Sequence, residues 1–363
     1  MSRPDRSVLM VARGLDPVGA GRQIELAAEA LHAAGWGVTL AVMSAGGAVP
    51  ERLARRGFSV HRLGLRPGLD AAAAARLVHL CRRRRPAVVL AWGRSAAAAI
   101  GAARPLFGGA RAVAHLAAGP RSRGLGLALA RCDRVIAVSA GVAGRCEAAG
   151  VRSGRIDILA PGIEPAEPAG LSRAEVAARL GLEPAGRWTL CVAPLAAEAR
   201  LERLLWAIDQ LAVVHRGVEH VLVGRGPRAA WLAHRARVQR LAERLRVVPH
   251  CDCLPDLLRQ CALVWQAGDV AYGGALLDAA ACGVPAVAVE SDAARQLIAD
   301  GRTGRIVPAD PESEFPRRAF NLLEDPGLAG RLGAAARVRA AEDFAAAPAL
   351  ARHVEALERA VRR

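Results

Sequence analysis

Residues 7–43 read SVLMVARGLDPVGAGRQIELAAEALHAAGWGVTLAVM, and this stretch decides the fold. Val8 to Ala12 is a short apolar run that ends in a glycine-rich turn. From Arg22 to Ala34, Ile24, Leu26, Ala27, Ala30 and Leu31 recur at the spacing of one helix face. Gly37 to Met43 is a second apolar, β-branched run. Strand, turn, helix and strand in that order form a βαβ unit, whose two strands must lie parallel because the helix carries the chain back.

The same alternation continues outward. Further strands are expected at Ser59–Leu63, Ala87–Ala91, Ala112–His115, Val135–Val138 and Ile156–Leu159, with helical stretches between them. The run Arg82 to Arg85 ends one of these helices before Pro86, where cations meet the negative end of the helix dipole and solvent. Near residues 161–171 the chain turns dense in Pro and Gly, which reads as a linker. A second series follows, with strands at Trp188–Val192, Val218–Val223, Arg246–Val248, Leu263–Gln266, Ala286–Val289 and Gly304–Val307. The pattern implies an α/β protein of two doubly wound domains, with ligands expected in a crevice at the carboxyl ends of the strands. The divisions are expected at 1–165, 166–345 and a last segment, 346–363, whose helix (about Pro348 to Val361) crosses back to the first domain.

Composition supports this size and narrows the function. A chain of 363 residues with 53% hydrophobic residues can bury two cores, but aromatics are only 3%, so Ala, Leu and Val must fill them. The chain has 50 arginines and no lysine, a bias that a GC-rich genome would produce without selection. Such a bias does not explain distribution: residues 1–165 carry a net charge of +14 and residues 166–363 only +2. The basic half suits an anionic membrane surface or an acidic ligand. Nucleic acid is disfavoured, because stacking platforms need rings that Trp36, Phe58, Trp92 and Phe107 barely supply.

Eight cysteines scattered through apolar runs, without a secretory leader, point to reduced thiols in the cytoplasm. No apolar run is long enough to span a bilayer, so any membrane contact is expected to be peripheral. His250, Cys251, Asp252 and Cys253 lack a second ligand pair at zinc spacing, so no metal is expected. A chain without lysine has no Walker A motif.

Two turns carry candidate chemistry. The run Gly224-Arg225-Gly226-Pro227 follows a strand and precedes a helix, and Tyr272-Gly273-Gly274 leads into a helix from Ala275 to Cys282. Glycines at such turns let backbone approach a ligand, and free amides at a helix start favour phosphate. Asp278 lies one turn inside the second helix, within reach of ribose hydroxyls.

The segments RCDRVIAVSAGVAGRCEAAGV (131–151), IDILAPGIE (156–164), VEHVLVGRGPRAAWLAHRA (218–236) and LLDAAACGVPAVAVESDAARQLIADGRTGRIVPADP (276–311), with residues 11–40, resemble the family-4 glycosyltransferases of the GT-B fold. The resemblance implies two Rossmann-like domains flanking a cleft and transfer of a sugar from a nucleotide-diphosphate sugar to a glycan or lipid-linked hydroxyl, with retention of configuration. It implies an envelope-glycan role and no cofactor beyond the donor substrate. It places Gly19 and Gly21 at the glycine-rich turn near the sugar phosphate, His115 beside the reacting sugar, and Ser139 before the next helix. Gly224, Gly226 and Pro227 match the donor-domain turn, Gly273 and Gly274 the diphosphate loop, and Asp278 the ribose-binding second acid of a Glu-x7-Glu pair. A histidine ending a buried strand can also be a hydrogen-bonded structural residue, and both readings of His115 stay open.

The departures fall in the donor motif. Val270 stands where the first acid of the pair belongs, Pro194 and Ala199 stand at two cationic positions, and Gln296 and Ala293 replace a further acid and a glycine. Arg200 and Arg225 are the nearby cations that could substitute. Each lost charge-assisted contact is worth about 1.5–3 kcal/mol, so a catalytically inactive member acting as a binding or scaffolding partner is the alternative reading.

Overall fold

The computed structural model describes residues 6–14, 20–43, 49–64, 71–164, 167–215 and 217–362. The chain divides into two compact units, Met1–Gly162 with Ala346–Arg363, and Ile163–Ala345.

The first unit is built on a seven-stranded sheet: β1 (Ser7–Ala12), β2 (Gly37–Val42), β3 (Ser59–Arg62), β4 (Val88–Trp92), β5 (Arg111–Leu116), β6 (Arg134–Ala137) and β7 (Ile156–Ile158). Its spatial order is β3-β2-β1-β4-β5-β6-β7, with every pair parallel. Helices cover both faces, which is why β4 is an apolar run buried from end to end and β1 is apolar and buried from Val8 to Ala12. The quoted stretch forms the expected βαβ unit: α1 (Ala20–Ala33) buries Ile24, Ala27, Ala28 and Leu31. Its outer face carries Glu25, gripped by Arg52 of α2 (Val49–Arg55) at 2.6 Å. The strand order reverses between β1 and β4, so the carboxyl ends of those strands frame the switch point.

The final helix, Ala346–Arg362, packs in this unit. Its apolar face comprises Ala349, Ala356, Leu357 and Ala360, with His353 among them. Glu358 meets Arg6 at 2.7 Å, and Arg359 meets Asp157 at 3.2 Å. Gln23 holds the backbone of Gly162 at both ends of its amide: Nε2 donates to the carbonyl at 2.6 Å and Oε1 accepts from the N–H at 3.2 Å.

The second unit holds β8 (Arg187–Val192), β9 (Val218–Val223), β10 (Leu245–Val248), β11 (Leu263–Gln266), β12 (Ala286–Val289) and β13 (Arg305–Val307), ordered β10-β9-β8-β11-β12-β13. All thirteen expected strands are therefore present, each within one residue of its expected ends. The scarce aromatics concentrate in this core, where Trp188, Trp265 and Phe315 are fully buried. Trp265 Nε1 donates to Thr189 Oγ1 at 3.0 Å, and the same hydroxyl lies 2.7 Å from His220 Nδ1. Burial pushes His220 down to about 3, so this buried network is uncharged at neutral pH. Here the strand order reverses between β8 and β11.

Candidate functional site

In the second unit the expected donor residues collect at the carboxyl ends of β8, β9 and β11, around the switch point. The Gly224–Pro227 turn leaves β9 and packs on the loop after β8. Ala193 N–H donates to Val223 O at 3.1 Å, Leu195 N–H to Arg225 O at 2.8 Å, and Arg228 N–H to Leu195 O at 2.9 Å. A Cβ on Gly224 would lie 1.9 Å from Ala193 O, and one on Gly226 would lie 2.4 Å from Leu195 O. These glycines are required by their own neighbouring loop, independently of any ligand. Arg225 is exposed, with Nε donating to Pro249 O at 3.2 Å. Pro194 belongs to the same loop, and Ala199 is buried where a cation was expected from the family pattern. Arg200 is exposed at the start of the helix Leu201–Val214, in left-handed backbone (φ 50°).

The Tyr272-Gly273-Gly274 turn has a different logic. All three residues have positive φ, at 58°, 73° and 46°. The helix that follows, Ala275–Cys282, starts from Gly274 without a side-chain cap. Its first-turn amides therefore face no capping side chain, and the helix dipole adds partial positive charge there. A Cβ on Gly273 would lie 2.0 Å from Leu297 Cδ1, and one on Gly274 would lie 2.9 Å from Val270 Cγ1. Asp278, in the first turn of this helix, is half-buried. Val270 is buried within the hydrophobic cluster of this unit. Ala293 and Gln296 lie on the helix Asp292–Leu297, where Arg339 holds the Gln296 carbonyl at 2.9 Å.

Sequence reasoning missed Gln266. It ends β11 at the switch point, is 4% exposed, and its Nε2 has no hydrogen-bond partner among the described residues. An amide ending an otherwise apolar strand was the available signal. Such a donor costs about 1–3 kcal/mol when unsatisfied.

In the first unit His115 is the penultimate residue of β5 and sits in a stack of rings. Its imidazole lies 4.1 Å from the Trp92 ring at 22°, with Trp92 ending the neighbouring strand β4. His353 stacks on Trp92 at 5.4 Å and 14° and lies 5.2 Å from His115. Burial, then the adjacent His353, holds His115 well below the ordinary histidine range; burial alone takes His353 to about 4. Both rings are neutral near pH 7, so His115 can offer a lone pair and carries no charge. Trp92 and His353 were not anticipated; the signal for His353 is its place in the apolar register of the last helix.

Gly21 is buried in the first turn of α1, whereas Gly19 falls outside the described residues. Ser139 caps the helix Ala140–Ala148, its hydroxyl accepting from Val142 N–H at 3.2 Å. Cys251 and Cys253 approach at 3.6 Å between sulfurs, and burial pushes the Cys251 thiol up to about 12, which leaves it unreactive. Among the described residues no group of three or more His, Cys, Asp or Glu could hold a metal ion.

Two family models match. The one described as "Glycosyltransferase Family 4" covers residues 17–167, and the one described as "Glycosyl transferases group 1" covers 186–325. The D-inositol 3-phosphate glycosyltransferase of Streptomyces bingchenggensis is 32% identical over 180 residues, which is 45% of this chain and 39% of that protein. The glycogen synthase of Mycobacterium tuberculosis is 29% identical over 158 residues, 43% of this chain and 38% of that one. The chain thus spans less than half the length of these curated relatives. Among solved structures, Anabaena Alr3699/HepE in complex with UDP-glucose has a TM-score of 0.83 at 18% identity, covering 97% of this chain and 99% of that one. At that identity the likeness speaks for the fold, and it is to a two-domain GT-B architecture. With one model on each unit and the switch-point turns in place, the chain belongs to the family-4 glycosyltransferases of the GT-B fold.

Proposed function

We propose that the protein transfers a sugar from a nucleotide-diphosphate sugar to a hydroxyl acceptor, with retention at the anomeric carbon. The observation that carries this reading is the left-handed Tyr272-Gly273-Gly274 turn, which delivers an uncapped helix start with Asp278 in its first turn to the switch point of the second unit. In this reading the amides at Gly274 and beyond hold the diphosphate, Arg200 or Arg225 supplies the missing positive charge, and Asp278 accepts from the ribose. The bond from the anomeric carbon to the diphosphate oxygen breaks and a bond to the acceptor oxygen forms. The acceptor proton passes to the departing diphosphate, so no group at position 270 has to act as a base. The basic first unit binds the glycan or lipid-linked acceptor, with neutral His115 as a hydrogen-bond acceptor. A place at the cytoplasmic face of an anionic membrane fits that charge. Relatives named as glycosyltransferases and a neighbour that holds UDP-glucose support the donor class.

Calorimetric titration with UDP, GDP and ADP tests the reading. Micromolar binding of one nucleotide is expected, with loss in Asp278→Ala; binding of none refutes it. One observation favours the second reading, an inactive family member: Val270 is buried in apolar packing where the family places a carboxylate. Nucleotide binding without either transfer or slow hydrolysis of the matching nucleotide sugar would select it.

A further inference from the structure

The run Arg82 to Arg85 is a solvent-exposed helix end, as its position before Pro86 implies, but its side chains go to different places. It closes α3 (Ala71–Arg84), which packs beside β3, the outer strand of the first sheet. Arg82 reaches the Leu106 carbonyl at 3.4 Å, whereas Arg83 and Arg84 turn toward β3. There they line an open pocket of about 530 Å³ together with His61, Arg62, Arg76 and His79. Among the described residues no carboxylate lines it.

The hydrogen bonds within the pocket go to neutral acceptors. Arg84 Nη2 donates to Ser59 Oγ at 3.2 Å and lies 3.2 Å from His61 Nε2, while Arg76 donates to the Leu63 carbonyl. Among the described residues Arg76, Arg83 and Arg84 meet no carboxylate within ion-pair distance, and Arg62 meets only Glu51 of α2, at 3.8 Å between exposed side chains. Burial, then Arg84 and Arg83, lowers the affinity of His61 for a proton. Four guanidinium groups facing one concavity repel each other, and an anion placed among them would remove that repulsion while taking charge-assisted hydrogen bonds. Guanidinium forks match tetrahedral oxyanions in geometry as well as in charge. Strands β2 and β1 separate this pocket from β4 and β5, so by strand spacing it lies about 19 Å across the sheet from His115.

We propose that this pocket is a second ligand site that binds a phosphate group, carried either by a soluble phosphomonoester or by the headgroup of an anionic lipid. It stands apart from the donor chemistry and does not depend on the transfer reaction. Anion binding raises the titration midpoint of His61, because the ligand compensates Arg83 and Arg84, and binding therefore tightens as pH falls through that midpoint. His79, Arg62 and Arg76 face the same anion, and Glu51 opposes it weakly from α2.

The test is histidine-labelled NMR of the full chain, titrated with inorganic phosphate at constant ionic strength, in parallel with sedimentation on phosphatidylcholine vesicles with and without phosphatidic acid. Arg76→Gln/Arg83→Gln is compared with Arg152→Gln, an exposed arginine elsewhere on the unit. A saturable upward shift of the His61 midpoint is expected, with affinity about tenfold weaker in the double variant and unchanged in the control. Phosphate saturation without vesicle binding assigns the soluble source. Sedimentation that requires phosphatidic acid and is lost in the double variant assigns the lipid source. No saturable shift together with no such sedimentation overturns the proposal, as do equal responses in the double variant and the control.

Discussion

Replacing His353 by Phe should flatten the acid sensitivity of the first unit. The wild-type ring is buried and neutral, with a folded-state value of about 4 against about 6.5 in an unfolded chain. As pH falls, the unfolded chain takes up the proton first, so stability is full above pH 6.5, declines between 6.5 and 4, and levels off below. From those two values the decline from pH 7.5 to pH 5 is about 2 kcal/mol, and about 3 kcal/mol by pH 4. Phe keeps a flat ring against Trp92 and removes both the titration and a buried nitrogen that has no hydrogen-bond partner among the described residues. Urea unfolding of both proteins from pH 7.5 to 5 is the assay, with hydrogen exchange of residues 346–362 to localise the effect. The variant should gain about 2 kcal/mol relative to wild type across that range. Parallel pH profiles would refute the reasoning: His353 would then be protonated in place, and the neutral state assigned to its neighbour His115 would fall with it.

Gly273→Ala should weaken nucleotide binding and cost about 1–2 kcal/mol in thermal or urea unfolding, because the new Cβ requires left-handed backbone and displaces Leu297 Cδ1; Leu297→Ala should recover part of the loss. Gln266→Met should stabilise the ligand-free protein by about 1 kcal/mol, since it removes a buried unsatisfied donor, and titration calorimetry should show weaker nucleotide binding if that donor serves the ligand. Val270→Glu restores the family's acid in sequence only. The carboxylate would enter the apolar cluster, so a loss of about 2 kcal/mol or more and no gain in transfer rate are expected; raised activity with unchanged stability would show that the position opens to the donor.

The strands were legible because each is a short β-branched or apolar run bounded by glycine, proline or charge, and parallel strands covered on both faces have no polar alternation to obscure them. Glycine at 273 and 274 was also legible, since a turn of successive left-handed residues admits little else. The reason for Gly224 and Gly226 was not, because their constraint is the carbonyls of Ala193 and Leu195, one strand away in the sheet. The arginine run shows the same limit. Its helix-terminal position follows from Pro86, but the approach of Arg83 and Arg84 to β3 depends on which strand lies at the sheet edge.

Sequence by itself determined the alternating α/β order, the βαβ units, the two turns that flank the switch point of the second unit, and the uneven charge. These depend on periodicity and local backbone preference, which act over a few residues. Only tertiary structure decided that His115, Trp92 and His353 form one neutral stack, and that, among the described residues, Gln266 is buried without a partner and His61, Arg76 and Arg83 share a pocket that no carboxylate lines. Protonation and pairing depend on what surrounds a group in space, and for His115 and His353 that neighbour is 238 positions along the chain.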